Sequence, residues 1–396
     1  MNDIDNLIKN AMESGDNKTL LRQHFESRLE VLGITLNQFC EGYEMASRAI
    51  NSILDGNFKF LDPISLLKVA NFLNTTSDEI LKECVSYMPA NTQIQLDDSK
   101  KRTYILDNFN LPGLKKDGVI STIKDFGHIE KCLLRTFGLN SIYEYSELDK
   151  SMGLFSSLKG TLKDGRPKKQ FKNKATKICS YLVNNNDYNQ DNLKEIFPKI
   201  RAYSLDLETG LLKLIKDLYN LGITVIIHPS ISFSGARGLT IASNGKPSII
   251  LTDIGKKYST LWFALLHELY HVFFDWQDII DGRLHVSDEE DFISEKEVKA
   301  NEFAREYMFP KKRMQEVIPI ISNPIAVKDY AIQSQVHYSI IYDNYCYDNP
   351  DKYSLYSRFI RVPWNRLEKS ILGSLSNSNS PDEYAKHYQN KIFVNK

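Results

Sequence analysis

The 396-residue sequence has few cysteines, no long apolar run and no apolar segment near its start. Its five cysteines are scattered and never form a Cys-x-x-Cys pair, which excludes a disulfide framework and a thiolate zinc site. No apolar stretch approaches the roughly 18–20 residues that a membrane span needs. The first seventeen residues are polar, unlike a secretory signal. We therefore expect a soluble, cytoplasmic protein with reduced cysteines and no membrane partner.

An excess of charge of one sign is also lacking, because fifty Lys and Arg residues balance fifty Asp and Glu residues. This balance excludes a strongly basic surface for nucleic acid, although it allows a local patch. The densest basic stretch is 164–177, with six Lys or Arg residues and one Asp. Such a run predicts a solvated loop or helix start, with a nucleic-acid or partner patch as the alternative.

The clearest secondary-structure pattern follows residue 205. An amphipathic helix is expected to end at Gly222, and Asn244-Gly245 is a strong signal for a hairpin turn between β-rich runs. The predicted elements are a helix at 207–222, a strand at 224–229, a hairpin at 239–252 and helices at 259–276 and about 294–308. This order predicts an α+β fold. An edge strand of the hairpin is expected to bind an extended peptide by strand addition.

His267-Glu268-Leu269-Tyr270-His271 is a His-Glu-x-x-His motif within the predicted helix 259–276. Histidines four residues apart project from one face of a helix, close enough to bind one zinc ion. Glu268 is placed to act as a general base without being a metal ligand. Two histidines and a glutamate in so apolar a helix are costly unless they are paired or bound to a metal.

A catalytic zinc ion needs a third protein ligand and a position left for water. Gln277 stands where one branch of zinc peptidases has its third histidine, which excludes that branch. Glu297 is favoured because it begins a helical stripe that must pack against an apolar surface, but Ser294-x-x-Glu297 also fits a capping box. The other candidates for the third ligand are Asp275, His285, Glu295 and Glu302.

The motif 267–271, followed by Glu297-x-x-Ala300-Asn301-x-Phe303-Ala304 and Met308-x-Pro310, resembles the ImmA/IrrE family of zinc metallopeptidases. The resemblance covers residues 200 to 345. It implies a zincin-like domain in which His267, His271 and Glu297 bind Zn²⁺ and Glu268 is the general base. Tyr270 departs from the family, which commonly has glycine there. His337 or Tyr338 could steady an oxyanion, with plain packing as the alternative.

Residues 17–88 are predicted to be helical. Thr35-x-x-Gln38 starts one short helix and a second ends near Gly56, which is helix-turn-helix spacing. The segment resembles the five-helix lambda-repressor/Cro-like (XRE) domain. The exposed positions of its second short helix suit contacts with DNA, and they are Ser47, Arg48, Asn51 and Ser52. Seven basic and nine acidic residues in 17–85 give a net charge of −2, so a dimerisation or protein-recognition module is the alternative.

The chain is too long for one ordinary core and is predicted to form several domains. The predicted segments are a helix-turn-helix domain (17–88), a helical linker or support region (89–200), a peptidase domain (201–350) and a C-terminal helical tail (351–396). This order is similar to fused antitoxins of the HigA type. The resemblance implies a zinc-dependent endopeptidase that cleaves a bacterial regulator or antitoxin in a stress, toxin–antitoxin or phage-defence locus, with operator DNA as a further partner and a homodimer as the expected assembly. The alternatives are a DNA-binding repressor with a non-catalytic metal site and the toxin of a defence pair.

Overall fold

The described residues form mostly helices and one small mixed sheet, which agrees with the predicted α+β class. A computed structural model describes residues 18–57, 62–87, 90–150, 153–157, 164–281, 290–362 and 364–394. The chain divides into two compact units, with the boundary between Arg102 and Thr103. Among the described helices, none is long and apolar enough to cross a membrane.

The described part of the first unit contains five helices and the start of a sixth, and its centre is aromatic. Phe25, Phe39 and Phe72 meet with ring centroids 4.6–5.0 Å apart. Thr35 and Gln38 form the predicted capping box, and this is why the second helix begins where the sequence indicates. The helices are α1 (Leu20–Leu32), α2 (Leu36–Gly42), α3 (Ser47–Leu54), α4 (Pro63–Leu73) and α5 (Ser77–Ser86), and α6 (Ala90–Asn108) crosses the boundary between the units.

The second unit holds the rest of the described chain, so residues from the predicted support region, peptidase domain and tail share one compact body. Its elements are α7 (Leu111–Lys116), α8 (Phe126–Phe137), β1 (Gly153–Ser157), α9 (Arg166–Tyr181), α10 (Gln190–Ile200), α11 (Gly210–Asn220), β2 (Thr224–His228), β3 (Ala236–Ser243), β4 (Lys246–Thr252), α12 (Tyr258–Phe274), α13 (Trp276–Ile280), α14 (Glu290–Met308), α15 (Lys311–Val317), α16 (Pro324–Gln333), α17 (Tyr338–Asp348), α18 (Tyr353–Ile360), α19 (Asn365–Leu372) and α20 (Pro381–His387). Short 3₁₀ segments lie between several of these helices.

The sheet has the strand order β1-β3-β4-β2. The hairpin β3–β4 turns at Asn244 and Gly245, whose φ angles of 51° and 73° are those of the two-residue type I′ turn that the sequence predicts. β2 pairs with β4 in parallel, and β1 pairs with β3 in antiparallel. Both hairpin strands therefore have a neighbour on each side. The prediction that the hairpin offers a free edge to a peptide is wrong, because β1 covers it.

The outer edge of β2 is covered by a side chain from the C-terminal segment. All five residues of β2 are buried. The Tyr388 hydroxyl donates a hydrogen bond to the carbonyl of Ile227 at 2.9 Å and accepts one from the Ile227 amide at 2.7 Å. One phenol thus satisfies both outward-facing backbone groups of that residue.

All but the first two residues of the basic stretch 164–177 lie in α9, which packs against β3 and α20. Lys174 is 1 % exposed, and its ammonium group donates to the carbonyl of Asn377 at 2.5 Å and lies 5.3 Å from the ring centroid of Tyr384. Burial lowers the pKa of Lys174 to about 7. The stretch does start a helix, but the prediction that it is solvated is wrong, because α9 belongs to the core of the second unit.

Candidate metal centre

Three side chains with metal-ligand chemistry converge between α12 and α14. His267 Nε2 lies 3.1 Å from Glu297 Oε2, His271 Nε2 lies 3.3 Å from Glu297 Oε1, and the two Nε2 atoms are 3.2 Å apart. Both histidines are fully buried, whereas Glu297 keeps 20 % of its side chain exposed. The helical stripe predicted to pack on an apolar surface does so against α12.

The two helices approach closely because small residues and rings fill the space between them. Ala300 and Ala304 on α14 are fully buried. Phe303 packs against Tyr270, with ring centroids 5.4 Å apart, and against Phe274 at 5.9 Å. The tyrosine that departs from the family pattern therefore belongs to the α12–α14 contact.

The spacing of the three ligand atoms fits a metal ion. Nitrogen and oxygen ligands placed 2.0–2.1 Å from a tetrahedral zinc ion are about 3.3 Å from one another. Two imidazole nitrogens that face each other can share only one proton, so the arrangement favours a cation between them. Glu297 Oε1 is buried, and His271 Nε2 is the ligand atom that it faces, at 3.3 Å. His267, His271 and Glu297 could therefore hold a metal ion.

Glu295 and Glu302 do not belong to the cluster of three ligands. Glu295 is exposed and pairs with Lys299 at 2.6 Å, and Glu302 is exposed. His285 lies outside the described residues. The capping interpretation of Ser294 is wrong, because α14 begins four residues earlier, at Glu290.

Asp275 supports the site without being one of the three clustered ligands. Its Oδ2 lies 2.8 Å from His271 Nδ1, and its Oδ1 pairs with Lys296 at 2.8 Å. Such a carboxylate fixes the ring orientation of a metal-binding histidine. Burial alone would lower the pKa of His271, but hydrogen bonds to Asp275 and Glu297 outweigh it and raise that pKa to about 9. Sequence reasoning tested Asp275 only as a ligand and missed this role, although its position four residues after His271 on the helix was a usable signal.

Glu268 lies beside the cluster and is fully buried. Its Oε2 accepts a hydrogen bond from the Thr240 hydroxyl at 2.7 Å, and its Oε1 has no hydrogen-bond partner among the described residues. Burial raises the pKa of Glu268, while the charges of His267 and His271 and the hydrogen bond from Thr240 oppose the rise. One oxygen is thus held in place and the other is left to accept a proton.

No family model matches the chain, and neither a curated protein nor a solved structure matches it significantly. The resemblance to ImmA/IrrE peptidases and to XRE domains therefore stays a prediction.

Gly238 on β3 makes room for the Glu268 carboxylate. A Cβ atom at this position would lie 2.5 Å from Glu268 Oε1 and 2.8 Å from its Cγ. Sequence reasoning missed both Gly238 and Thr240. A glycine inside a strand pattern often marks a close approach by another group, so Gly238 was open to prediction in principle.

We expect Gly238→Ala to cost about 1–3 kcal/mol of unfolding free energy, because the added methyl group must displace a buried carboxylate. It should also reduce any activity that depends on Glu268. Chemical denaturation of the second unit measures the first effect. Gly165→Ala is the matched control, since its Cβ would meet nothing within 4 Å. Equal stability of the two variants would contradict the close packing of Gly238 against the Glu268 carboxylate.

His337 and Tyr338, predicted as oxyanion ligands or packing residues, lie at the start of α17. His337 caps that helix through Ser339 and packs on Tyr258, with ring centroids 5.3 Å apart. Tyr258 is nine residues before His267, about 13 Å along a helix. Burial lowers the pKa of His337 to about 4. These contacts are those of a packed, neutral side chain, and they support the packing interpretation for His337.

The predicted DNA contacts lie together on α3 of the first unit. Ser47 and Arg48 are exposed. Asn51 accepts a hydrogen bond from the Arg22 guanidinium group at 3.0 Å, and the Ser52 hydroxyl donates to the carbonyl of Asn57 at 2.8 Å. The Asn51 amide also donates to the Ser47 hydroxyl at 3.4 Å, so Ser47, Asn51 and Ser52 all make contacts within the unit.

Proposed function

We propose that the protein is a zinc-dependent endopeptidase. The observation that supports the proposal is that the ligand atoms of His267, His271 and Glu297 lie 3.1–3.3 Å apart, as around a zinc ion. The Glu268 carboxylate is buried beside them. When bound there, zinc supplies Lewis acidity, which polarises a carbonyl group and lowers the pKa of water.

The residues of the chain divide the remaining work. Glu268 takes a proton from the attacking water through its free oxygen and returns it to the leaving amine. Its raised pKa suits a group that must both accept and release a proton. Thr240 holds the other oxygen, and Asp275 orients His271.

A non-catalytic metal site is the competing proposal. A structural zinc site closes its coordination with four protein ligands, whereas catalytic sites leave one position open. Three ligands cluster among the described residues. A structural site also has no use for Glu268, which is costly to bury with one oxygen unpartnered. The second point favours hydrolysis, and the first does so for the residues that the structure describes.

As substrate we propose a bacterial transcriptional regulator or antitoxin that is cut at one exposed loop. If the protein is instead the toxin of a defence pair, it would use the same chemistry on another target.

The test incubates the zinc-loaded protein with the proteins encoded beside its gene and identifies new N-termini by mass spectrometry. One discrete cut that a chelator abolishes is expected. A cut that persists after the metal is removed would overturn the proposal.

For the first unit we propose binding to operator DNA through the exposed start of α3. Fluorescence anisotropy with the promoter duplex should show affinity that falls as salt rises from about 50 to 200 mM. Arg48→Ala should reduce the salt slope by about one, whereas Lys82→Ala on α5 should not. Absence of binding at about 50 mM salt would support a protein-recognition module instead.

A further inference from the structure

A cavity of about 320 Å³ begins one helical turn from the metal ligands. Phe263, in its wall, precedes His267 by four residues on α12, and the two ring centroids are 6.2 Å apart. Arg305, on the opposite wall, follows Glu297 by two turns of α14. The cavity thus continues the α12–α14 cleft away from the site.

Two guanidinium groups face this cavity without acidic partners. The guanidinium carbons of Arg237 and Arg305 each lie 5.4 Å from the ring centroid of Phe263. Among the described ion pairs and hydrogen bonds, neither arginine has a partner, and Arg237 Nε is buried without one. Burial lowers the pKa of both groups, and the charge of Arg305 lowers that of Arg237 further. Both remain cations at neutral pH, as arginine does in proteins.

Two acidic groups act on these arginines through space without pairing with them. Asp343 lines the cavity and Asp348 lies near Arg305, but neither forms an ion pair with an arginine among the described residues. Lys257 also lines the cavity, with its ammonium group 4.8 Å from the ring centroid of Tyr353. Among the residues that line the cavity, three are cationic and one is acidic, so its wall carries an excess of positive charge.

We propose that this cavity binds the carboxylate of an acidic side chain, Asp or Glu, next to the bond that is cleaved. Guanidinium groups bind carboxylates through paired hydrogen bonds, and an apolar wall suits the methylene stem of such a residue. One helical turn is about 5.4 Å, comparable with the 3.8 Å between neighbouring Cα atoms of a peptide. The proposal rests on the peptidase function, since it places the bound residue beside the scissile bond.

The first test measures binding without cleavage. Zinc-loaded Glu268→Gln protein with ¹³C-methyl methionine is titrated with N-acetyl-glutamate amide, because Met308 lines the cavity and reports on its contents. We expect saturable shifts of the Met308 methyl signal and at least tenfold weaker binding of N-acetyl-glutamine amide. Arg305→Met or Arg237→Met should remove the response, whereas Arg366→Met, whose arginine is 84 % exposed, should not. N-acetyl-leucine binding more tightly than N-acetyl-glutamate amide would assign the cavity to a chain-terminal carboxylate and overturn the proposal.

The second test separates failure of the cavity from failure of the peptidase. The zinc-loaded wild-type protein is incubated with a mixed peptide library, and cut sites are sequenced. We expect Asp or Glu adjacent to the cut, and Arg305→Glu should shift the preference to Lys or Arg. Cleavage without acidic preference would overturn the cavity proposal and leave the peptidase intact. Binding of the glutamate probe without any cleavage would overturn the peptidase and with it the place of the residue beside a scissile bond.

Discussion

Glu268→Gln should abolish cleavage while zinc binding is retained. The amide cannot take a proton from water, and loss of a general base typically slows a reaction about 10²- to 10⁴-fold. The side-chain oxygen of glutamine can still accept the hydrogen bond from Thr240, so the fold should not change. Initial rates on the identified substrate, with zinc content measured by atomic spectroscopy, give both results from one preparation.

The matched control for Glu268→Gln is Glu295→Gln. This substitution makes the same change of charge and shape on α14. The Glu295 side chain is 62 % exposed and pairs with Lys299. This variant should retain both cleavage and zinc. If Glu268→Gln cut its substrate at the wild-type rate, a different base would act and the proposed mechanism would be wrong.

Zinc is expected to stabilise the second unit of the wild-type protein strongly and that of Glu297→Gln hardly at all. An ion that binds only the folded state adds about 4.1 kcal/mol when its free concentration is 1,000 times Kd. Glu297 supplies the only carboxylate of the described ligand cluster, and it joins α14 to the two histidines of α12. Without it, the site is reduced to two neighbouring histidines on one helix.

This effect can be followed by tryptophan fluorescence during thermal unfolding with and without zinc. All three tryptophans, at 262, 276 and 364, lie in the second unit, so the signal reports on that unit alone. Asp275→Asn should weaken zinc binding about 10- to 100-fold, an intermediate effect, because only the support of His271 is altered. Glu302→Gln, an exposed change on α14, should behave like wild type. Equal zinc stabilisation of Glu297→Gln and wild type would remove Glu297 from the ligand set.

The features that could be predicted from the sequence are those set by short-range geometry. The Asn244-Gly245 turn follows from the backbone angles of two residues. The facing of His267 and His271 follows from a separation of one helical turn. Glu297 was found from a helical stripe that needed an apolar partner, because a buried stripe implies a neighbouring helix.

The features that sequence reasoning missed depend on which distant segments meet. Gly238 and Thr240 contact Glu268 only because β3 packs against α12. Thr240 and Glu268 are 28 residues apart in the sequence. Lys174 was expected in solvent because charged side chains normally lie on the surface. The packing of its helix in the core buries it instead. β1 was not predicted, because the sequence of a five-residue strand does not indicate which strand it pairs with.

The two hydrogen bonds of Tyr388 to Ile227 affect whether another polypeptide can pair with the outer edge of β2. An exposed outer strand presents unpaired amides and carbonyls, and these act as a template for aggregation or for the growth of a foreign strand. On β2 the phenol is hydrogen-bonded to both the amide and the carbonyl of Ile227. Another chain could pair there only after displacing this buried aromatic ring. At Ile227, the C-terminal segment thus blocks the pairing of another chain with that edge of the sheet.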